Sequence, residues 1–238
     1  DDISVVNVRV YTAPDPFSSA PAWNSITTDS DYNTNYREII GTYGTLRVGA
    51  NGTYTYVADQ DEADPLDPET PDVAEDAFEI QISDGEATST SILRINVTGV
   101  NDDPVGVDNT DAVTYGSTLD RANGSVYDIL TNDTDVDGDD NSSNLSVTSI
   151  TATTASGSAQ TTFTGNAETV IGYYGTLVLN SNGSYTYTPN DTTSRNLANG
   201  ATGDDVFTYT VSDDSGGTHT TATLTITVTG KTPNPQND

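Results

Sequence analysis

Ile40-Gly41-Thr42-Tyr43-Gly44-Thr45-Leu46 recurs further along the chain as Ile171-Gly172-Tyr173-Tyr174-Gly175-Thr176-Leu177. Downstream of each copy the likeness continues. Asn51-Gly52-Thr53-Tyr54-Thr55-Tyr56 is answered by Asn182-Gly183-Ser184-Tyr185-Thr186-Tyr187, and Asp76-Ala77-Phe78-Glu79-Ile80-Gln81-Ile82-Ser83-Asp84 by Asp205-Val206-Phe207-Thr208-Tyr209-Thr210-Val211-Ser212-Asp213. Leu93-Arg94-Ile95-Asn96-Val97-Thr98-Gly99 closes the first copy as Leu224-Thr225-Ile226-Thr227-Val228-Thr229-Gly230 closes the second. Blocks kept in one order define an internal repeat, which sets the organisation before any element is assigned.

Every repeated block reads as strand. Leu46, Val48, Tyr54 and Tyr56 alternate with polar residues around Asn51-Gly52, and an Asn-Gly pair between alternating runs is a strong hairpin signal. Phe78, Ile80 and Ile82 alternate with Glu79 and Gln81, as Phe207, Tyr209 and Val211 do with their neighbours. A period of two marks half-buried strands. No long segment carries a helical stripe, so the expected fold is all-β: two tandem sandwiches with Greek-key, Ig-like connections.

The chain has 36 acidic against 7 basic side chains, a net charge of −29, and no Cys. A field of that sign repels phosphate backbones and anionic lipid, so neither nucleic acid nor membrane insertion is expected. Cations are the natural partners. The acids are mostly Asp, which favours turns, so the charge sits mainly in loops. At 33% hydrophobic the composition approaches that of disordered chains, but 13 Tyr among alternating Val, Ile and Thr supply faces for small sandwich cores.

The expected division is 1–103 for the first sandwich, 104–231 for the second and 232–238 for a linker tail, with Pro104 halting the ladder. Ile3-Ser4-Val5 aligns with Leu145-Ser146-Val147, so the first repeat lacks a counterpart of Pro104 to Asn144. Two explanations stand open. Either the segment is cut from a longer array out of phase with its domains, or the first sandwich borrows a strand from a neighbour.

The stretch Asn132 to Val147, the block Gly172 to Pro189, and Asp205 to Thr229 resemble the VCBS and cadherin-like tandem repeats of large bacterial (RTX-type) surface adhesins. The second copy carries the whole pattern: Ile129-Leu130-Thr131-Asn132-Asp133-Thr134-Asp135-Val136-Asp137-Gly138-Asp139, then Gly175-Thr176-Leu177 with Asn182-Gly183-Ser184-Tyr185-Thr186-Tyr187, then Phe207 to Asp213 and a Thr-rich closing strand. The first copy lacks the acidic loop apart from Asp1 and Asp2. The resemblance implies cadherin-like sandwiches, export to the cell surface and a stalk role beside neighbouring repeats of the same protein.

Asp133, Asp135 and Asp137, followed by Gly138, Asp139 and Asp140, place hard oxygen donors within one short turn. Ca²⁺ takes 6 to 8 such oxygens, and a glycine lets successive carboxylates turn inward. Carboxylates packed this closely repel one another without a counter-ion. An EF-hand is rejected, because its twelfth position would be Asn144 and no helix flanks the loop. Asp102 and Asp103 are the nearest further ligands, with Asp108 and Asp213 as second choices. The expected cofactor is therefore Ca²⁺, stiffening the junction between the sandwiches.

Trp23, the one tryptophan, is either a ring packing its loop onto the sheet or an aromatic platform for a glycan or surface ligand. The single His219 and the absence of Cys leave nothing for triad or thiol chemistry, so no enzyme is expected. The function expected is an extender of an extracellular adhesin. The alternatives are a carbohydrate- or partner-binding module and a filament subunit completed by a neighbour's strand.

Overall fold

The structure is a computed structural model that describes residues 3–12, 21–26, 31–66, 74–122, 128–137, 144–152, 161–162, 167–213 and 220–231. The chain divides into two compact units, Asp1–Val100 and Asn101–Asp238. The division falls slightly ahead of the expected boundary, so Asn101, Asp102 and Asp103 go with the second unit. Each unit is all-β, as the alternation of the repeated blocks predicts.

The first unit contains β1 (Ser4–Val10), β2 (Asn24–Ser25), β3 (Arg37–Ile40), β4 (Thr45–Val48), β5 (Tyr54–Val57), β6 (Ala74–Ser83) and β7 (Thr88–Val97). These form a sheet of order β2-β1-β6-β7 and a smaller one of order β3-β4-β5. The core between them gathers Val5, Val8, Ile39, Leu46, Val48 and Phe78.

The second unit contains β8 (Asn109–Thr114), β9 (Leu119–Arg121), β10 (Ser146–Ala152), β11 (Thr161–Thr162), β12 (Ala167–Ile171), β13 (Gly175–Asn180), β14 (Tyr185–Pro189), β15 (Thr202–Ser212) and β16 (Thr220–Thr229). Its sheets have the orders β11-β10-β15-β16-β8 and β12-β13-β14-β9. All pairings are antiparallel except β8, which runs parallel to β16. In β16, Ala222, Leu224, Ile226 and Val228 are buried while the threonines between them are less so, the signature of a strand with one covered face.

The sequence repeat is a structural one. In each unit the pairing slips at the same place, between Val5 and Asn7 of β1 against β6 and between Val147 and Ser149 of β10 against β15. A β-bulge shared this way re-aims both first strands alike. Val5 and Val147 then donate their N–H groups to the equivalent carbonyls of Ala50 and Ser181, each at 2.8 Å.

The repeated Ile-Gly-x-Tyr-Gly block has a buried acid as its reason. Asp205 is wholly buried, and its carboxylate accepts the N–H groups of Tyr173 (2.7 Å), Tyr174 (3.1 Å) and Gly175 (3.0 Å) and the hydroxyl of Tyr187 (2.6 Å). Asp76 holds Thr42, Tyr43, Gly44 and the Tyr56 hydroxyl in the same manner. Burial, then the bond to Asp205, pushes the Tyr187 hydroxyl far above its ordinary pKa. The carboxylate thus clasps the β12–β13 turn, by donors that satisfy a charge which would otherwise be costly to bury. A methyl group on Gly172 would lie 2.1 Å from Asp205 Oδ2, and one on Gly175 would lie 2.3 Å from the Tyr187 ring, so only glycine fits either site.

β8 and β9 cover the second unit's open side. Arg121 on β9 donates Nε and Nη2 to Asp111 on β8 at 2.6 and 2.9 Å, and the Tyr185 hydroxyl joins them at 2.8 Å. Burial works against the Asp111 carboxylate, but Arg121 and Tyr185 outweigh it and hold its pKa below the ordinary value. Among the described residues the first unit has no counterpart of either strand.

Candidate metal centre

Two acidic segments meet in the second unit because the backbone fastens them side by side. Val105 and Thr134 form an antiparallel bridge, with N–H to O distances of 2.7 and 3.2 Å. On one side of it the Val107 N–H donates to Asp133 Oδ1 at 2.6 Å, and on the other the Asp102 N–H donates to Asp137 Oδ2 at 2.8 Å. Asp135 folds the loop on itself by accepting the Asp137 N–H at 3.1 Å, an Asx turn. Asn101 reaches Asp213 Oδ2 at 3.3 Å, bringing in the end of β15.

Several of these side chains are buried, or bury an oxygen, beyond what their partners explain. Asp133 is 3% exposed and Asp137 2%. Asn101 Oδ1, Asp133 Oδ2 and Asp135 Oδ2 are buried oxygens with no hydrogen-bond partner. Buried polar atoms are satisfied in the great majority of cases, so three acceptors left bare in one loop system need a cause. Burial, above all, pushes the Asp133 carboxyl up to about 6. It raises Asp135 too, and the negative charges of Asp213 and Asp102 add to the effect. All three bare atoms are acceptors, and what an acceptor cluster lacks is a cation or a proton.

Among the described residues, no group of three or more Asp, Glu, His or Cys side chains is arranged to hold a metal ion. Gly138 to Ser143 are outside the described residues, and with them Asp139, one of the expected ligands.

The structure distributes the other candidates unevenly. Asp135, Asp137, Asp102 and Asp213 share one hydrogen-bonded and electrostatic neighbourhood, Asp133 lies on the other side of the Val105–Thr134 bridge with the charge of Asp128 acting on it, and Asp102 and Asp103 are both exposed. Asp108 turns elsewhere: its Oδ1 accepts the Thr223 N–H at 2.8 Å, so it supports the seam between the start of β8 and β16. Sequence reasoning missed Asn101, whose carboxamide is neutral and hidden next to two aspartates. It missed Asp128 as well, which is 4% exposed and whose charge acts on Asp133. In the first unit Trp23 is half-buried with the Arg9 guanidinium 4.2 Å from its ring centre, a cation–π stack that occupies one face of the indole. His219 is outside the described residues.

Two Greek-key sandwiches with an acidic loop beside one sheet edge define the class: cadherin-like β-sandwich modules. The model of the bacterial cadherin-like domain matches residues 101–230, which is more than half of the chain and nearly all of the second unit. The chain belongs to the bacterial cadherin-like domain family. Membership places it among extracellular adhesion and structural modules, which as a rule are not enzymes.

No curated protein matches the chain in sequence. Among solved structures, chicken VE-cadherin EC1-2 is similar at 17% identity and a TM-score of 0.31, covering 90% of this chain and 94% of that one. Mouse clustered PcdhgC3 EC1-3 is similar at 11% identity and a TM-score of 0.35, covering 78% of this chain and 50% of that one. The cadherin-like domains 1 to 4 of zebrafish RET follow at 14% identity and a TM-score of 0.32, covering 83% and 41%. The chain thus spans half the length of the protocadherin structure and less of the RET one. No helix among the described residues is long and apolar enough to cross a membrane.

Proposed function

We propose that this chain is a non-catalytic extender of a bacterial surface adhesin of VCBS/RTX type, stiffened by Ca²⁺ held in the acidic cradle of its second unit. The observation that carries the metal reading is the trio of bare, buried oxygens on Asn101, Asp133 and Asp135. Leaving such groups unsatisfied costs about 1–3 kcal/mol each, more for a charged one, and a hard cation would offset that cost at each oxygen it reaches. Asp137, Asp102 and Asp213 lie within the same hydrogen-bonded system, and Asp139 with Asp103 would complete the oxygen set. Anchored by the Val105–Thr134 bridge, an ion here ties Asn101 to Pro104 onto the body of the sandwich. The leading segment of the unit would then be held rather than free.

Calcium titrated by calorimetry into chelator-stripped protein tests this. One or more saturable sites are expected, and Asp135→Asn, which removes charge at a half-buried position, should weaken binding about tenfold or more. An isotherm indistinguishable from buffer dilution would refute the reading. So would wild-type affinity in Asp135→Asn.

A further inference from the structure

The two units share one plan, so the complete one shows what would cover the other. In the second unit β8 lies parallel along β16 and β9 antiparallel along β14, and Val113, Leu119, Ile129 and Leu130 from this part of the chain enter the core. In the first unit the equivalent strands, β7 and β5, end their sheets with nothing beside them among the described residues. The consequence is visible in burial. Tyr185 is 1% exposed, whereas Tyr54, its counterpart in register, is 51% exposed. Leu224 and Ile226 are sealed, while their counterparts Leu93 and Ile95 are only half-buried and pack at the margin of the core.

Between these edges runs a groove of about 270 Å³ lined by Val5, Val48, Tyr54, Ile80, Ser91 and Leu93. In the second unit Leu130 approaches Gly183, the counterpart of Gly52 in this groove, and the Ile129 N–H donates to the Gly183 carbonyl, while β8 and β9 pair along the two flanking sheet edges. We infer that this groove is an acceptor for an extended polypeptide segment with the pattern of Asn109 to Arg121, docking by strand addition parallel to β7. An open edge offers the backbone pairing, and the Val113 and Leu119 types of such a segment enter the core behind it.

The second unit also gives the register. Asn109, Asp111 and Val113 stand opposite Leu224, Ile226 and Val228, so the donor places those residue types opposite Leu93, Ile95 and Val97. Its second limb sets the Leu119 and Arg121 types opposite Tyr56 and Tyr54. The Asp111 type accepts the Tyr54 hydroxyl, as Asp111 accepts that of Tyr185 at 2.8 Å, and the Arg121 type neutralises it. The docked segment is therefore recognised by an acid and a base at fixed spacing as well as by its apolar face. This inference is independent of calcium.

The test adds a fluorescent synthetic peptide of residues Val107 to Ala122 to the full chain and follows anisotropy together with backbone amide shifts. Saturable binding is expected, with shifts concentrated at Tyr54, Leu93 and Ile95. Tyr54→Phe should weaken it about tenfold, and Ser91→Arg, a substitution at an exposed position that fills the groove without touching the core, should abolish it. A peptide carrying Val113→Asp should not bind. Absence of binding at millimolar peptide overturns the inference, as does binding that survives Ser91→Arg. Concentration-dependent dimerisation of the wild type that Ser91→Arg blocks would also overturn it, by making a second copy the occupant.

Discussion

Asp205→Asn should be among the most damaging single substitutions in the second unit, although it changes one atom. The Asp205 Oδ2 accepts the Gly175 N–H at 3.0 Å and the Tyr187 hydroxyl at 2.6 Å, and shares the Tyr174 N–H, 3.1 Å from each oxygen, with Oδ1. Oδ1 accepts the Tyr173 and Tyr174 N–H groups at 2.7 and 3.1 Å. An asparagine amide must turn its NH₂ toward one of these pairs, setting donor against donor. Two charge-assisted bonds are lost, worth about 1.5–3 kcal/mol each, and the survivors weaken because their acceptor is no longer charged. Some of that returns if the Tyr187 hydroxyl rotates to accept from the amide, so the net cost is about 3–4 kcal/mol. For a unit of this size each kcal/mol moves the midpoint by about 4 °C, which gives a fall of about 12–16 °C. Asp76→Asn in the first unit should cost less, about 2 kcal/mol, because Tyr56 is only partly buried and water can replace its lost partner. Differential scanning calorimetry resolves the two transitions, and fluorescence of Trp23 assigns the first-unit one. A loss under 1 kcal/mol for Asp205→Asn, or equal losses for the two substitutions, would refute the clasp as the reason for the repeated block.

Gly172→Ala should destabilise the second unit by about 2–4 kcal/mol, because the added methyl collides with a carboxylate fixed by four donors; urea denaturation measures it. Metal-free protein should respond to pH through Asp133. Its carboxyl is raised from 3.8 to about 6 in the folded state, so the native form binds the proton more tightly than the unfolded one. That stabilisation is present in full below about pH 4 and is lost as pH rises through about 6, amounting to about 1–2 kcal/mol after solvent screening. In chelator the second transition should therefore fall over this window, and Asp133→Asn should flatten the fall.

Much of the fold was legible because strand alternation and the turn chemistry of Asn51-Gly52 and Asn182-Gly183 are local signals. The order of repeated blocks located the two units. The Asp76 and Asp205 clasps were not legible, since each acid lies far along the chain from the turn it holds and sits in a strand where its neighbours suggest only alternation. At the candidate site the Asp133, Asp135 and Asp137 spacing singled out a loop in which the structure buries Asp133 and Asp137. Asn101 stayed hidden, for a neutral amide carries no charge signal and its role depends on the Val105–Thr134 bridge. Asp108, a second choice by its place in the sequence, accepts the Thr223 N–H next to the parallel pairing of β8 with β16, a contact that only the fold reveals.

Calorimetric melting of the chelator-stripped chain with and without Ca²⁺ tests most directly whether a calcium ion relieves the bare oxygens of the second unit. At 100 times the dissociation constant, one bound ion adds about 2.7 kcal/mol, which should raise the second transition by about 10 °C and leave the first, marked by Trp23, where it was. An unmoved second transition in saturating calcium would contradict the account.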